Sequence, residues 1–278
     1  SRSERKSAIQ ESMQDASQRG APSNVRGWLS EVYLPALVSA QAEQLLRRLG
    51  ERATVDDPIF GRAMGMPALA QHLDQAAAWL TKRDATFEVL AFTTGSDRDV
   101  TEGTLALAVD GLRASVPVAV VAERRPEREV EIRLYYSTKA IQGAPSRRAP
   151  LVPRDDELAV PPPVAAHLQA LARGDVDGIV ASFENGAVLR DSRGLVHRKE
   201  EQGGTLRAFY QKLFAPSSAG QPGIEVLKGA RADDGRTCAL EYTVSRVRGE
   251  EIAPRPGLAV YERGESGLLS AARLYDEY

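Results

Sequence analysis

The feature that most constrains this 278-residue chain is an internal duplication. Tyr33, Ala53 and Asp57 recur 134 positions later as His167, Ala187 and Asp191. Glu88-Val89-Leu90 returns as Glu225-Val226-Leu227 at a shift of 137, and Glu102, Pro117 and Glu123 return as Glu241, Pro256 and Glu262 at 139. Ile132-Arg133-Leu134-Tyr135 matches Ala272-Arg273-Leu274-Tyr275 at 140. The shift grows in small steps, and the steps fall at predicted turns, where insertions are tolerated. Two copies are too few for a solenoid, and a copy of about 115 residues is large enough to close a core of its own. The chain therefore divides into a polar extension (1–26), a first domain (27–142), a connecting stretch (143–163) and a second domain (164–278). The connecting stretch contains Pro161-Pro162-Pro163 and no periodicity, which makes it a linker stiffened towards polyproline II.

Hydrophobic spacing gives the same element order in both halves. In the first, apolar residues from Leu34 to Leu49 follow a helical period, with Ser30 as a candidate N-cap and Gly50 as a stop. Ala53 to Asp57 reads as a short strand. Pro67 opens an alanine-rich helix that places Leu69, His72, Leu73, Ala76 and Leu80 on one face. Period-2 alternation then predicts strands at Thr86–Thr94, Glu102–Val109, Ser115–Ala122 and Val130–Ser137. In the second half, a helix over Val164–Ala172 and a corner at Gly174-Asp175 lead to a strand at Ala187–Arg190 and a helix at Thr205–Phe214. Strands follow at Ile224–Ala230, Thr237–Arg248, Gly257–Glu262 and Leu268–Tyr275. Helix, strand, helix and meander, twice over, is an α+β chain. In the extension, Ser7–Ser17 has the spacing of a short helix.

Composition narrows the function. A net charge of −2 gives no footprint for nucleic acid or an anionic membrane. No apolar run approaches the roughly 20 residues of a membrane span. The single cysteine, Cys238, excludes an internal disulfide and a cysteine-based zinc site. His72, His167 and His197 have no ligand spacing, so neither metal nor cofactor is expected. With no apolar leader at the N-terminus, the cytoplasm is the expected compartment.

Val164 to Gly194, with Ala172-Arg173-Gly174-Asp175 and Ala187-Val188-Leu189-Arg190-Asp191, resembles the opening of ketosteroid isomerases. Those belong to the nuclear transport factor 2-like (NTF2-like), SnoaL-like superfamily. Ala53-Thr54-Val55-Asp56-Asp57-Pro58 resembles the same motif in the first half, and Tyr242-Thr243-Val244-Ser245 and Arg273-Leu274-Tyr275 extend the likeness. The resemblance implies two cone-shaped, cystatin-like α+β barrels. In each, a curved antiparallel sheet wraps round helices and encloses an apolar pocket for a small hydrophobic molecule. It implies a general-base position at Asp57 and Asp191, and an oxyanion-binding position at Tyr33 and His167. The family's second acid falls at or next to Pro117 and near Pro256, which offer no donor, and Ser192 stands where the proline after Asp191 would be.

Each residue has a plainer reading beside the chemical one. Asp57 is either a base whose pKa burial raises or a turn carboxylate bonding backbone amides ahead of Pro58. Tyr33 either orients a substrate oxygen or is a core tyrosine; His72 is either a pocket or a core histidine. Asp191 is a base or the partner of an arginine, and His167 a pocket base or a helix-surface residue. Glu102 and Glu241 either face outward or point into the cones, where a second carboxylate would suit acid–base opening of an epoxide or ether. The leading expectation is a cofactor-free isomerase, cyclase or epoxide-opening enzyme with Asp57 as base. The alternatives are a non-catalytic ligand pocket and a protein-contact scaffold. The tandem copy is expected to cover the outer face of its neighbour's sheet, making a pseudo-dimer within one chain.

Overall fold

The computed structural model describes residues 29–126, 129–200, 204–215 and 223–276. The extension 1–26, with the helix read over Ser7–Ser17, lies outside the described residues. The first domain runs α1 (Leu29–Val38), α2 (Ala42–Leu49), β1 (Ala53–Asp57), β2 (Gly61–Met64), α3 (Met66–Lys82), β3 (Thr86–Thr94), β4 (Arg98–Val109), β5 (Leu112–Arg124), β6 (Val130–Tyr135) and α4 (Lys139–Gln142). The second runs α5 (Pro162–Arg173), α6 (Val176–Ala181), β7 (Phe183–Arg190), β8 (Val196–Arg198), α7 (Gly204–Leu213), β9 (Ile224–Asp233), β10 (Thr237–Val247), β11 (Glu250–Arg263) and β12 (Leu269–Tyr275).

Each domain has one six-stranded sheet, in the order β2-β1-β6-β5-β4-β3 and β8-β7-β12-β11-β10-β9. The two orders are identical, and the architecture is α+β in two domains. The sheets are not wholly antiparallel as expected, because β1 runs parallel to β6 and β7 parallel to β12. Register breaks at Val89/Ala91 in β3 and at Val244/Arg246 in β10 bend the long strands. β2 and β8 are too short to show alternation, so the sequence does not reveal them. Among the described residues, no helix is long and apolar enough to cross a membrane.

Two local readings change. The helix expected through Leu49 breaks between Val38 and Ala42, where Ala40 adopts φ 56°. Pro35 sits inside α1 and withholds an amide from the helical ladder, and the helix ends at Val38. Ser30 is not an N-cap. It lies within α1, and its buried hydroxyl donates to Asp99 Oδ2 at 2.5 Å and lies 2.8 Å from Thr101 Oγ1.

Helices pack on the inner face of each sheet around an apolar core. The outer faces meet one another. Val100, Val121 and Tyr135 of the first domain and Ala239, Val260 and Tyr275 of the second form a third buried cluster. Glu102 and Glu241 belong to this interface and not to a pocket, which corrects the inward-facing alternative. Leu105 and Leu107 face the first core, so Glu102 is out of phase with them; Glu241 is likewise out of phase with Leu240 and Tyr242.

The contacts of the two glutamates are reciprocal. Glu241 accepts from Arg133 Nε (2.6 Å), Arg133 Nη2 (2.8 Å), Tyr135 Oη (2.7 Å) and Arg98 Nη1 (3.1 Å). Glu102 accepts from Arg273 Nε (2.5 Å), Arg273 Nη2 (2.9 Å) and Tyr275 Oη (2.7 Å). Burial opposes the charge of Glu241, but Arg133 beside it outweighs that and lowers its pKa. Both glutamates are buried and each meets an arginine fork and a tyrosine hydroxyl, so the two ion pairs favour one register between the domains.

The linker is docked along its length. Arg148 Nη1 bonds Asp56 Oδ1 at 2.9 Å, and Asp155 N bonds Lys228 O at 2.8 Å. Val152 lies over Gly229, where a Cβ would meet Val152 Cγ2 at 2.2 Å.

Candidate functional site

In the first domain the expected constellation is assembled but closed. Asp57 ends β1 and is 5% exposed. Its Oδ1 accepts from Ile59 N (2.7 Å), Phe60 N (3.0 Å) and Tyr136 Oη (3.0 Å). Two of those donors are the backbone amides of its own turn, which is the plainer of the two readings. Tyr33 from α1 and His72 from α3 are buried, and neither Tyr33 Oη nor His72 Nε2 has a hydrogen-bond partner among the described residues. Burial first, and the charge of Asp57 second, push the Tyr33 hydroxyl well above its ordinary value, so it is neutral. Burial lowers the pKa of His72 against the opposing pull of Asp57 and Asp56. The space beside Asp57 is about 20 Å³, walled by Leu34, Phe60, Trp79, Leu105 and Tyr136. That is room for about one water.

The second domain encloses about 400 Å³. His167 of α5 lies in its wall, 2% exposed. Its Nδ1 is 3.1 Å from Ser182 Oγ, which itself donates to Ile179 O at 2.6 Å. With the Ser182 proton directed at Ile179, Oγ accepts from Nδ1–H. That fixes the tautomer and leaves Nε2 as an acceptor. Nε2 has no partner among the described residues. Burial lowers the His167 pKa to about 4, so the ring is neutral near pH 7.

Three tyrosines complete the wall: Tyr210 from α7, Tyr242 from β10 and Tyr261 from β11. The Tyr242 hydroxyl donates to Asp276 Oδ2 at 3.0 Å. The Tyr210 and Tyr261 hydroxyls make no hydrogen bond to a described residue. Burial foremost raises both pKa values, and Asp276 adds to each, so both are neutral. Tyr242 depends on a glycine. Gly257 is its cross-strand partner, and a Cβ there would sit 2.7 Å from the ring. Leu171, Val226, Val244 and Leu274 supply apolar lining.

Asp191 also reaches this cavity, but its oxygens are occupied. Oδ1 accepts from Arg193 N (3.0 Å) and Leu195 N (2.9 Å), and Oδ2 lies 3.2 Å from both Arg193 Nη2 and His197 Nε2. Burial opposes its charge, yet His197 and these amide and guanidinium donors outweigh it and lower the pKa. The structure thus brings Asp191 and His167 to one cavity, and Asp57, Tyr33 and His72 to a filled core. It brings Glu102 and Glu241 to neither.

Spacing in the sequence does not mark Tyr210, Tyr242, Tyr261 and Asp276 as pocket residues. A signal existed where the copies disagree: at a shift of 139, Tyr242 and Tyr261 stand opposite Gly103 and Ala122.

No protein-family model and no curated protein matches the chain. Similar solved structures include NTF2-like, epoxide hydrolase/cyclase-like and ketosteroid isomerase-like proteins, each matching about two-fifths of the chain. One is SalBIII, an epoxide hydrolase/cyclase-like enzyme of pyran ring formation in the polyether salinomycin. It is 14% identical over 38% of this chain and 85% of that one, with a TM-score of 0.32. A protein of ketosteroid isomerase-like fold from Catenulispora acidiphila, in complex with trimethylamine, is 15% identical over 41% and 89%, with a TM-score of 0.35. The Δ5-3-ketosteroid isomerase from Mycobacterium sp. is 18% identical over 40% and 92%, with a TM-score of 0.33.

Proposed function

We propose that the second domain binds a small, mainly apolar molecule and that the first domain is its structural partner. The observation that carries this reading is the contrast in enclosed space, about 400 Å³ against about 20 Å³. The larger volume lies in the range of small-molecule sites, which are apolar with a few convergent polar groups. Here those groups are the Tyr210 and Tyr261 hydroxyls, which can donate to a ligand oxygen, and His167 Nε2, which can accept from a ligand hydroxyl.

Binding is favoured over acid–base catalysis by the state of the carboxylates. Asp57 has no substrate space beside it, Asp191 is committed to four donors, and the glutamates that would complete a carboxylate pair are at the domain interface. The test is titration with N-phenyl-1-naphthylamine, an uncharged apolar fluorophore. Its emission should rise on binding to the wild-type protein and stay low with Val244→Trp, which fills the cavity. A probe that fails to bind, or binds the variant equally well, would remove the reading.

A further inference from the structure

The geometry points to an amphipathic anion as the ligand. Its apolar body lies in the second-domain cavity, and its carboxylate, sulfate or phosphate end sits at the mouth, met in part by a lysine of the first domain. The inference rests on the cavity being a ligand site and deepens that reading.

Four cations border the cavity, Lys139, Arg193, Lys212 and Arg248, against two carboxylates, Asp191 and Asp276. Arg193 is taken up by Asp191 at 3.2 Å, and Asp276 accepts from Tyr242. The side chains of Lys139, Lys212 and Arg248 make no ion pair or hydrogen bond with a described residue. Lys139 and Lys212 are exposed and Arg248 is half-buried, so all three stand where the cavity opens to solvent. They come from three separate elements: the start of α4, the last turn of α7, and the turn between β10 and β11. Isolated surface cations do little, but several around a low-dielectric cleft focus a positive potential at its opening. A ligand with one charged end satisfies both halves of the site. Its apolar part leaves water, while its anion stays at the wet rim and avoids the cost of burying a charge.

Lys139 is held in place from both sides. Tyr136, three residues before it, donates to Asp57, and Ile141, two residues after it, packs against the first core. Arg133 and Tyr135 of the same stretch grip Glu241 on β10. The first domain therefore contributes a recognition residue to a cavity it does not contain.

The test compares 1-anilinonaphthalene-8-sulfonate with N-phenyl-1-naphthylamine, which has the same body without the sulfonate. At low ionic strength the sulfonate should bind about tenfold more tightly, and added salt should erode that margin alone. Lys139→Met, Lys212→Met and Arg248→Met should each weaken the sulfonate about threefold or more and leave the neutral probe within about twofold. Equal affinities, both lost in Val244→Trp, would overturn the anion inference and leave the apolar site standing. A sulfonate preference that survives all three Met substitutions would also overturn it. Binding of either probe that ignores Val244→Trp would overturn the site itself.

Discussion

The two domains share one sheet order, yet the space beside His167 is about 400 Å³ and that beside Asp57 about 20 Å³. The difference lies in how neighbouring strands fill the inner face. Gly103 on β4 is covered by Phe87 of β3, whose Cζ lies 2.2 Å from where a Cβ would be. In the second domain Tyr242 stands where Gly103 does, and Ile224, smaller than Phe87, lines the open cavity. Phe60 and Trp79 meet edge to face at 5.8 Å and complete the seal in the first domain. The backbone supplies a frame that admits a cavity, and a few ring placements decide whether one remains.

The comparison can be broken most severely at the interface the copies share. Among the described residues Glu241 holds donors from Arg98, Arg133 and Tyr135, and Glu102 from Arg273 and Tyr275. Glu241→Ala should cost about 3 kcal/mol in urea unfolding, because buried Arg133 loses its two-oxygen partner and keeps Glu123 at 2.8 Å. Glu102→Ala should cost less. The reverse order would mean that the interface does not depend on the Glu241 cluster.

The next effect is titration in the second core. The folded His167 pKa of about 4 lies below the ordinary 6.5, so the unfolded chain binds more protons between those values. Its stabilising contribution is present above about pH 6.5 and falls away as pH drops towards 4, by roughly 3 kcal/mol. Unfolding free energies across that window should show the loss in the wild type and not in His167→Gln. An equal slope in both proteins would refute it.

A smaller contrast comes from overpacking. Leu105 and Val244 are equivalent at a shift of 139, the first beside a filled core and the second beside open space. Leu105→Trp should cost about 1–3 kcal/mol, and Val244→Trp about 1 kcal/mol or less. Thermal melts of the two variants measure this, and equal losses would mean that the second cavity is not open. The mildest test is chemical. Cys238 is buried, and burial first, with Asp233 second, pushes its thiol up to about 12. An alkylating reagent should label it in urea and leave the native protein unlabelled. Rapid native labelling would show that the second core opens.

Much of this frame was legible in the sequence. The shared element order of the two domains, the meanders and α3 follow from spacing, because period-2 and period-3.6 patterns record which face is buried. The phase of Glu102 and Glu241 was also readable, since each is out of step with Leu105 or Leu240 on its own strand. That it opposes an arginine and tyrosine of the other copy was not readable, because the partners lie more than a hundred residues away. Nor was the open domain: whether Phe87 covers Gly103 depends on a rotamer and a bend in β3. Agreement between the two halves points to Asp57 and Asp191. The cavity is instead marked by residues on which the copies differ, Tyr242 and Tyr261.

Calorimetric titration with 1-anilinonaphthalene-8-sulfonate, for wild type, Asp57→Asn and Val244→Trp, tests the division of roles most directly. One molecule should bind per chain, with affinity unchanged by Asp57→Asn and lost in Val244→Trp. Two molecules per chain, or binding that disappears with Asp57→Asn and persists in Val244→Trp, would place the working site in the domain that the structure shows to be filled.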